Sequence, residues 1–429
     1  MRTTKLIRSV AAFGVITVFA AGCSKDSKDT TAAAETTAAP AAETTAAPAA
    51  ETTAAPAAAE TTAAPAAAET TAAPAAGVAP AAADCTTPNK VKLQLQWVTQ
   101  AQFAGYFAAV DQGFYKGQCL DVQIVEGGVE IVPQTQLATG AVDYAISWVP
   151  KALASREQGA GITNVAQIFQ RSGTLQVSWA DSKIAGPADF KGKKIGNWGF
   201  GNEYELFAGM TKAGLDPAKD VTLVQQQFDM QALLKREIDA SQAMVYNEYA
   251  QLLEAKDPVT GKLYTADAFK VINWNEQGTA MLQDAIWANT EKLADAAYKD
   301  QTQRFVNASI QGWVYCRDNA DKCVDIVVAK GSKLGKSHQA WQMNEINKLI
   351  WPSAGGVGMI DQAAWDQTSK VAMETKNAEG ATIITKAPDA AAFTNDFAKK
   401  SNETWSAAGV DVKGADYKGT TVTLNEGGN

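Results

Sequence analysis

In a chain that alternates strand and helix, ligands meet the segments that follow each strand, where helix N-termini converge. Here those segments carry Trp97, Thr99, Gln100 and Gln102, then Ser147 and Trp148, then Gln170, Arg171 and Trp179. Further on they carry Asn197, Trp198, Gly199, Gly201, Asn202 and Glu203, then Phe228 and Asp229, then Tyr246, Asn247 and Glu248, then Trp274 and Asn275. The set is rich in tryptophan and in neutral side chains that both donate and accept hydrogen bonds. It is poor in general bases and nucleophiles. The one histidine, His338 in "KSHQAWQ", falls in a late helical region and reads as a surface or helix-packing residue. A Ser-His-Asp arrangement therefore has no histidine at a strand end, and no cysteine after Cys23 has a histidine within sequence reach to activate it. Stacking and amide hydrogen bonding on a large, flat, mostly uncharged molecule is the chemistry such a set supports, and no enzyme is expected.

The residues nominated to contact that molecule are Trp97, Gln102, Tyr106 and Trp148, followed by Trp198, Asn202, Glu203, Asp229, Tyr246 and Asn247. Trp198 offers a ring to stack on, and the glycines of "GNWGFGNE" let the backbone approach a flat ligand. That loop lacks the Lys-Ser/Thr of a phosphate loop and the dinucleotide spacing. Asp229 serves equally well as the cap of a helix starting at Met230, and Asn202 is likewise a candidate cap.

The elements that must position these residues follow from hydrophobic period. "VKLQLQW", "LDVQIVEGG", "AVDYAISWV" and "ITNVAQIFQ" read as strands, and "AQFAGYFAAVDQGFY", "IVPQTQLATG" and "PKALASREQG" as the helices between them. That alternation predicts an α/β fold built on a parallel sheet with helices on its faces. After "TLQVSWADSKI" a second set of units begins, "VTLVQQQ", "DMQALLKREI", "ASQAMVYNEY" and "FKVINWN", which reads as a smaller lobe inserted in the first. "MLQDAIWANTEKL" carries the chain back, and a largely helical remainder closes the larger lobe.

The first 84 residues have another character. Arg2, Lys5 and Arg8 precede an apolar run from Val10 to Ala21 that is too short for a bilayer core of about 30 Å, and the run ends in "AAGC". Residues 1–22 therefore read as a signal peptide and Cys23 as a lipidated N-terminus. Residues 23–84 read as a disordered stalk of "ETTAAPAA" repeats, stiffened by regular prolines. A formal net charge of −8 with no basic run argues against nucleic acid as partner. Of the five cysteines, Cys85 and Cys119 precede the first two strands, and Cys316 and Cys323 flank "RDNADK". In an oxidising compartment these spacings suit two disulfides, Cys85–Cys119 and Cys316–Cys323. With one histidine and no close cysteine pair, no metal site is expected.

"LQWVTQAQFAGYFAAVDQGFYKGQCLDVQIVEGG", "ATGAVDYAIS", "PADFKGKKIG" and "FDMQALLKREIDASQAMVYNEY" resemble the periplasmic-type substrate-binding proteins of ABC importers, over Lys90 to about Pro388. The branch is the one with thiamine-pyrimidine, sulfonate and riboflavin binders. "AQIFQRSG", "GNWGFGNEYE", "QQFDM" and "NEINKLIWP" are most similar to its riboflavin-binding, RibY-type lipoproteins. The resemblance implies a type II two-lobed periplasmic-binding-protein fold with parallel-sheet lobes joined by two crossing segments, near residues 178–182 and 272–286. The larger lobe would take residues 85–180 and 274–429, and the smaller one residues 181–273.

It further implies a monomer, tethered outside the cytoplasm by its lipid, that captures riboflavin between the lobes and hands it to a permease. Riboflavin would be cargo, with no cofactor. Related binders of the thiamine pyrimidine commonly have a histidine in the first-helix motif where this chain has Gln102. That pyrimidine is the alternative cargo, and a pyrimidine-synthase-like or flavin-dependent enzyme is the alternative of another class.

Overall fold

The computed structural model describes residues 85–128 and 130–429. The segments expected to form a signal peptide, a lipidated Cys23 and a stalk lie outside the described residues.

Among the described residues, ten strands form two five-stranded sheets. The first sheet holds β1 (Asn89–Gln94), β2 (Leu120–Val125), β3 (Tyr144–Ser147) and β4 (Ile162–Gln167). The second holds β5 (Thr174–Trp179), β6 (Lys194–Asn197), β7 (Thr222–Gln225), β8 (Ala240–Met244) and β9 (Phe269–Asn273). The chain then returns as β10 (Ala285–Asn289) to the first sheet. The strand orders are β2-β1-β3-β10-β4 and β7-β6-β8-β5-β9.

Parallel pairing holds for β1 with β2 and β3, and for β6 with β7 and β8. Both sheets are nevertheless mixed, where the sequence suggested parallel ones. β10 runs against β3 and β4, and β5 runs against β8 and β9. The reason is topological. A strand arriving from the other lobe enters its sheet at the end where the neighbouring strands finish, and must run opposite to them.

The same pairing corrects the first crossing. β5 already belongs to the second sheet, so the chain crosses at residues 168–173, not at 178–182, and the lobe boundary precedes β5 instead of following residue 180. The return crossing occupies residues 274–284. Side chains stitch the two crossings together: Asn275 Nδ2 donates to Ser172 O at 2.8 Å, Gly173 N donates to Gln283 Oε1 at 2.8 Å, and Gln283 Nε2 donates to Thr174 Oγ1 at 2.6 Å.

Period 2 in β10 shows how the first lobe is layered. Ile286 and Ala288 join one core with Leu93, Tyr144, Phe305 and Trp313, while Ala285 and Trp287 join another with Val149, Leu153 and Trp365. The first of these cores is roofed by the helices Ala104–Asp111 and Ala296–Asp318. Small residues let those two helices approach closely. A Cβ on Gly312 would collide with the carbonyl oxygen of Gly105, and one on Gly105 would collide with the Trp313 ring. Disulfides join Cys85 to Cys119, at the starts of β1 and β2, and Cys316 to Cys323, between the helix Ala296–Asp318 and the next. Among the described residues no helix is long and apolar enough to cross a membrane.

Overpacking this helix contact is expected to destabilise the larger lobe. Gly312→Ala should cost about 1–3 kcal/mol and lower the thermal midpoint. An unchanged midpoint would show that the helices can move apart freely.

Candidate functional site

The strand ends of the two sheets meet across a cleft of about 1180 Å³, counted out to its open mouth. From the first lobe it is lined by Gln96, Trp97, Gln100, Gln102, Trp148 and Lys151, among others. From the second it is lined by Trp198, Phe200, Asn202, Tyr204, Phe228, Met244, Tyr246, Asn247 and Glu248.

One carboxylate organises the first lobe's side. Asp284, the last residue of the return crossing, is 2% exposed and accepts from three N–H groups. Gln96 Nε2 and Trp148 Nε1 bind Oδ1 at 2.8 and 2.7 Å, and Gln102 Nε2 binds Oδ2 at 2.9 Å. The donors come from the segment after β1, the first helical turn and the segment after β3. Burial pushes the Asp284 carboxyl up to about 7, against the opposing pull of these donors.

The turn at Ala101–Phe103 has no side-chain cap of its own. Helix N-termini leave N–H groups without partners, and here glutamines from the helix Lys336–Ile350 supply them. Ala101 N donates to Gln339 Oε1 at 2.7 Å and Gln102 N to Gln342 Oε1 at 3.1 Å. Gln100 Nε2 closes the network on Gln102 Oε1 at 2.6 Å. Gln102 thus has its amide held on both sides, with its edge at the cleft.

The second lobe contributes faces. Trp198 and Phe228 lie nearly parallel, 9° apart, with centroids 6.2 Å from each other, and Phe228 meets Trp97 of the first lobe at 4.3 Å. In the loop after β6, Gly199, Phe200 and Gly201 all have left-handed backbones, with φ of 71°, 56° and 82°. The strained one, Phe200, is 65% exposed at the cleft mouth. Asn247 is held from behind: its Nδ2 donates to Glu248 Oε1 at 2.8 Å, and its Oδ1 lies 2.9 Å from His338 Nε2.

Seven nominated residues line the cleft: Trp97, Gln102, Trp148, Trp198, Asn202, Tyr246 and Asn247. Three do not. Tyr106 lies beneath the floor, 1% exposed and edge-on to Trp313 at 5.5 Å, because the helical period turns it into the core. Asp229 caps Gln231 N at 2.9 Å and faces solvent. Glu203 sits behind the loop, its carboxyl buried and raised above the usual range by desolvation. Of the wider set, Trp179 lies at the far end of β5, packed on Phe269, with its Nε1 donating to Leu233 O. His338 is fully buried, with Nδ1 2.8 Å from Glu254 Oε1, so it is a packing residue between the helices Lys336–Ile350 and Glu248–Glu254.

Of the charged groups, Lys151 and Asp284 escaped the sequence reading, while Glu248 was in its wider set. Lys151 Nζ spans the cleft to Asn202 Oδ1 at 3.3 Å. Its ammonium is held down to about 8, chiefly by burial, with Glu203 and Asp284 acting to raise it. Glu248 is buried and pushed up to about 7 while accepting from Met244 N at 2.9 Å. "WVPK" carried a signal for Lys151, since a proline-started helix after a strand aims its first turn at the ligand end. Nothing local marks Asp284, whose partners lie over a hundred residues away.

Asp284, Glu248 and Glu205 are each pushed up to about 7 by burial, against about 4 in an unfolded chain. Between those values the folded protein holds more protons than the unfolded one, so stability must fall as pH rises from about 4 to about 7. Thermal midpoints should therefore be higher at about pH 5.5 than at about pH 7.5. Asp284→Asn should flatten part of that slope, and a slope of the opposite sign would refute the assignment.

The family profile described as NMT1/THI5 like matches residues 100–323. The riboflavin-binding protein RibY of Chloroflexus aurantiacus is 26% identical over 331 residues, covering 74% of this chain and 89% of that one. The formylaminopyrimidine-binding protein of Halalkalibacterium halodurans is 19% identical over 248 residues, covering 58% of this chain and 72% of that one. In fold, the periplasmic sulfonate-binding protein SsuA of Methylobacillus flagellatus superposes with a TM-score of 0.52 at 16% identity, covering 79% of this chain and 99% of that one. That likeness gives the periplasmic-binding-protein fold.

Proposed function

The chain belongs to the NMT1/THI5-like family, and from that premise we propose that it is the substrate-binding component of an ABC importer that captures riboflavin. The observation that carries the reading is a cleft between two lobes, lined by tryptophan and phenylalanine faces and by glutamine and asparagine amides held in place from behind. An isoalloxazine ring presents two faces to the first kind of group, and an edge of carbonyls and ring nitrogens to the second. The similarity to a riboflavin-binding protein along 89% of that protein's length supports the same ligand.

Capture proceeds by closure. Trp97, Gln102 and Trp148 belong to one lobe, and Trp198, Asn202, Tyr246 and Asn247 to the other. A ligand that touches both sets favours the closed arrangement by its differential contacts. The crossings at 168–173 and 274–284 are where that rotation is taken up. The closed, loaded form then docks on a permease, with Cys23 anchoring the protein to the outer face of the membrane.

Titrating riboflavin into the purified protein while following flavin and tryptophan fluorescence tests this. Saturable quenching with one site per chain is expected, with Trp97→Ala and Trp198→Ala each weakening it about 10-fold. Absence of quenching at high micromolar riboflavin, by protein that is folded, would overturn the flavin assignment.

A further inference from the structure

Lys151 is the only lysine or arginine among the described residues that line the cleft. It sits in the first turn of the helix Val149–Glu157, on a proline-started N-terminus that follows β3. An ammonium has three donors, and the one hydrogen bond described for it runs across the cleft to a neutral acceptor, Asn202 Oδ1, at 3.3 Å. The Trp148 ring lies beside it, 5.8 Å from Nζ to the centroid. The amine is thus desolvated, under-partnered and aimed into the cleft. A half-buried charge in that state gains most from an acceptor that arrives with the ligand.

The surroundings say which acceptor. Asp284 lies under Trp148 and Gln102, Glu203 adjoins Asn202, and Glu248 lines the far wall. One cation among three carboxyl groups is a poor host for a phosphate or sulfonate, which would add full negative charge to a low-dielectric site. A neutral, polarisable acceptor adds none.

We propose that Lys151 is the specificity residue of the cleft. Its ammonium donates to the carbonyl and ring-nitrogen edge of a neutral conjugated heterocycle, so the ligand is selected by that edge and not by an anionic substituent. This rests on the reading of the cleft as a heteroaromatic site. It adds that the ring has a fixed orientation, with its acceptor edge against the start of the helix Val149–Glu157 and its faces toward Trp148, Trp198 and Phe228.

The protonated amine is the binding form. Since burial holds Lys151 down to about 8, its contribution must be complete below that pH and fade above it. Asp284 and Glu248, pushed up to about 7, and Glu203 also titrate around the cleft. The informative quantity is therefore the ratio of wild-type to variant affinity, in which their contributions largely cancel.

The test uses the full chain with riboflavin, its 5′-phosphate and the thiamine pyrimidine as probes, comparing wild type with Lys151→Met and Lys151→Arg across pH 6 to 10. Lys151→Met should bind riboflavin about 10- to 100-fold more weakly at pH 7, with the ratio falling toward one above about pH 8. Lys151→Arg should stay within a few-fold of wild type and hold its advantage to the highest pH, because the guanidinium does not titrate there. Wild type should bind riboflavin at least as tightly as its phosphate. A Lys151→Met protein that matches wild type at pH 7 would overturn the inference while leaving riboflavin capture standing. A tenfold preference for the phosphate that disappears in Lys151→Met would overturn it in favour of an anionic substituent. If riboflavin fails but the pyrimidine binds with the same variant pattern, the flavin reading falls and the role of Lys151 survives. If neither ring binds, both fall.

Discussion

A carboxyl group almost wholly shut off from water holds the first lobe's half of the cleft together. Asp284 brings three chain segments to one point through N–H donors of Gln96, Gln102 and Trp148. Burying it costs free energy, visible in its raised proton affinity, and three donors offset much of that cost. No apolar residue could do the same work, because the geometry comes from the direction of the three N–H groups. Asp284 also ends the return crossing, next to Gln283, which ties that crossing to the outgoing one at Gly173 and Thr174. Adjacent side chains on one segment therefore fix both the ligand-facing groups and the connection between the lobes.

The second lobe is not held by the crossings alone. The helix Lys336–Ile350 reaches it through His338, bonded to Glu254 and Asn247, and through Trp341 Nε1, which donates to Val245 O at 3.0 Å. Glu426, near the chain end, pairs with Lys256 at 2.5 Å. The same helix supplies Gln339 and Gln342 to the turn at Ala101–Phe103. It therefore touches the cleft on both sides, through backbone N–H groups of one lobe and the Asn247 side chain of the other. Its position in the chain, far from any strand of either sheet, gives no hint of this.

Charge in the cleft has a different logic from the one composition suggests. The segments after the strands are dominated by neutral side chains, yet Lys151 and Glu248 line the cleft and Asp284 lies buried beneath it. Each is desolvated. The two carboxyls are satisfied by N–H donors, while among the described residues Lys151 bonds only Asn202. That asymmetry separates groups that hold the site from a group left with donors to offer.

What the sequence determined by itself is what local period and short-range chemistry control. Alternation in "VKLQLQW" and "AVDYAIS", the proline at the start of "PKALASRE" and the switch to a second set of units fixed the order of strands and helices and the presence of two lobes. The nominations at Trp97, Trp148, Trp198 and Asn247 followed from strand ends, where backbone geometry alone delivers side chains to one edge. Only the tertiary structure decided the rest. The reversed directions of β5 and β10 depend on which end of a sheet the chain enters, a fact of lobe connection that no hydrophobic period carries. Tyr106 went to the core because the helix faces Trp313, and Asp229 to solvent because capping satisfied it first. Asp284, Gln339 and the hydrogen-bond partners of His338 were illegible for one shared reason. Their roles are defined by partners 80 to 240 residues away, and a buried polar side chain leaves no mark in its own neighbourhood of the sequence.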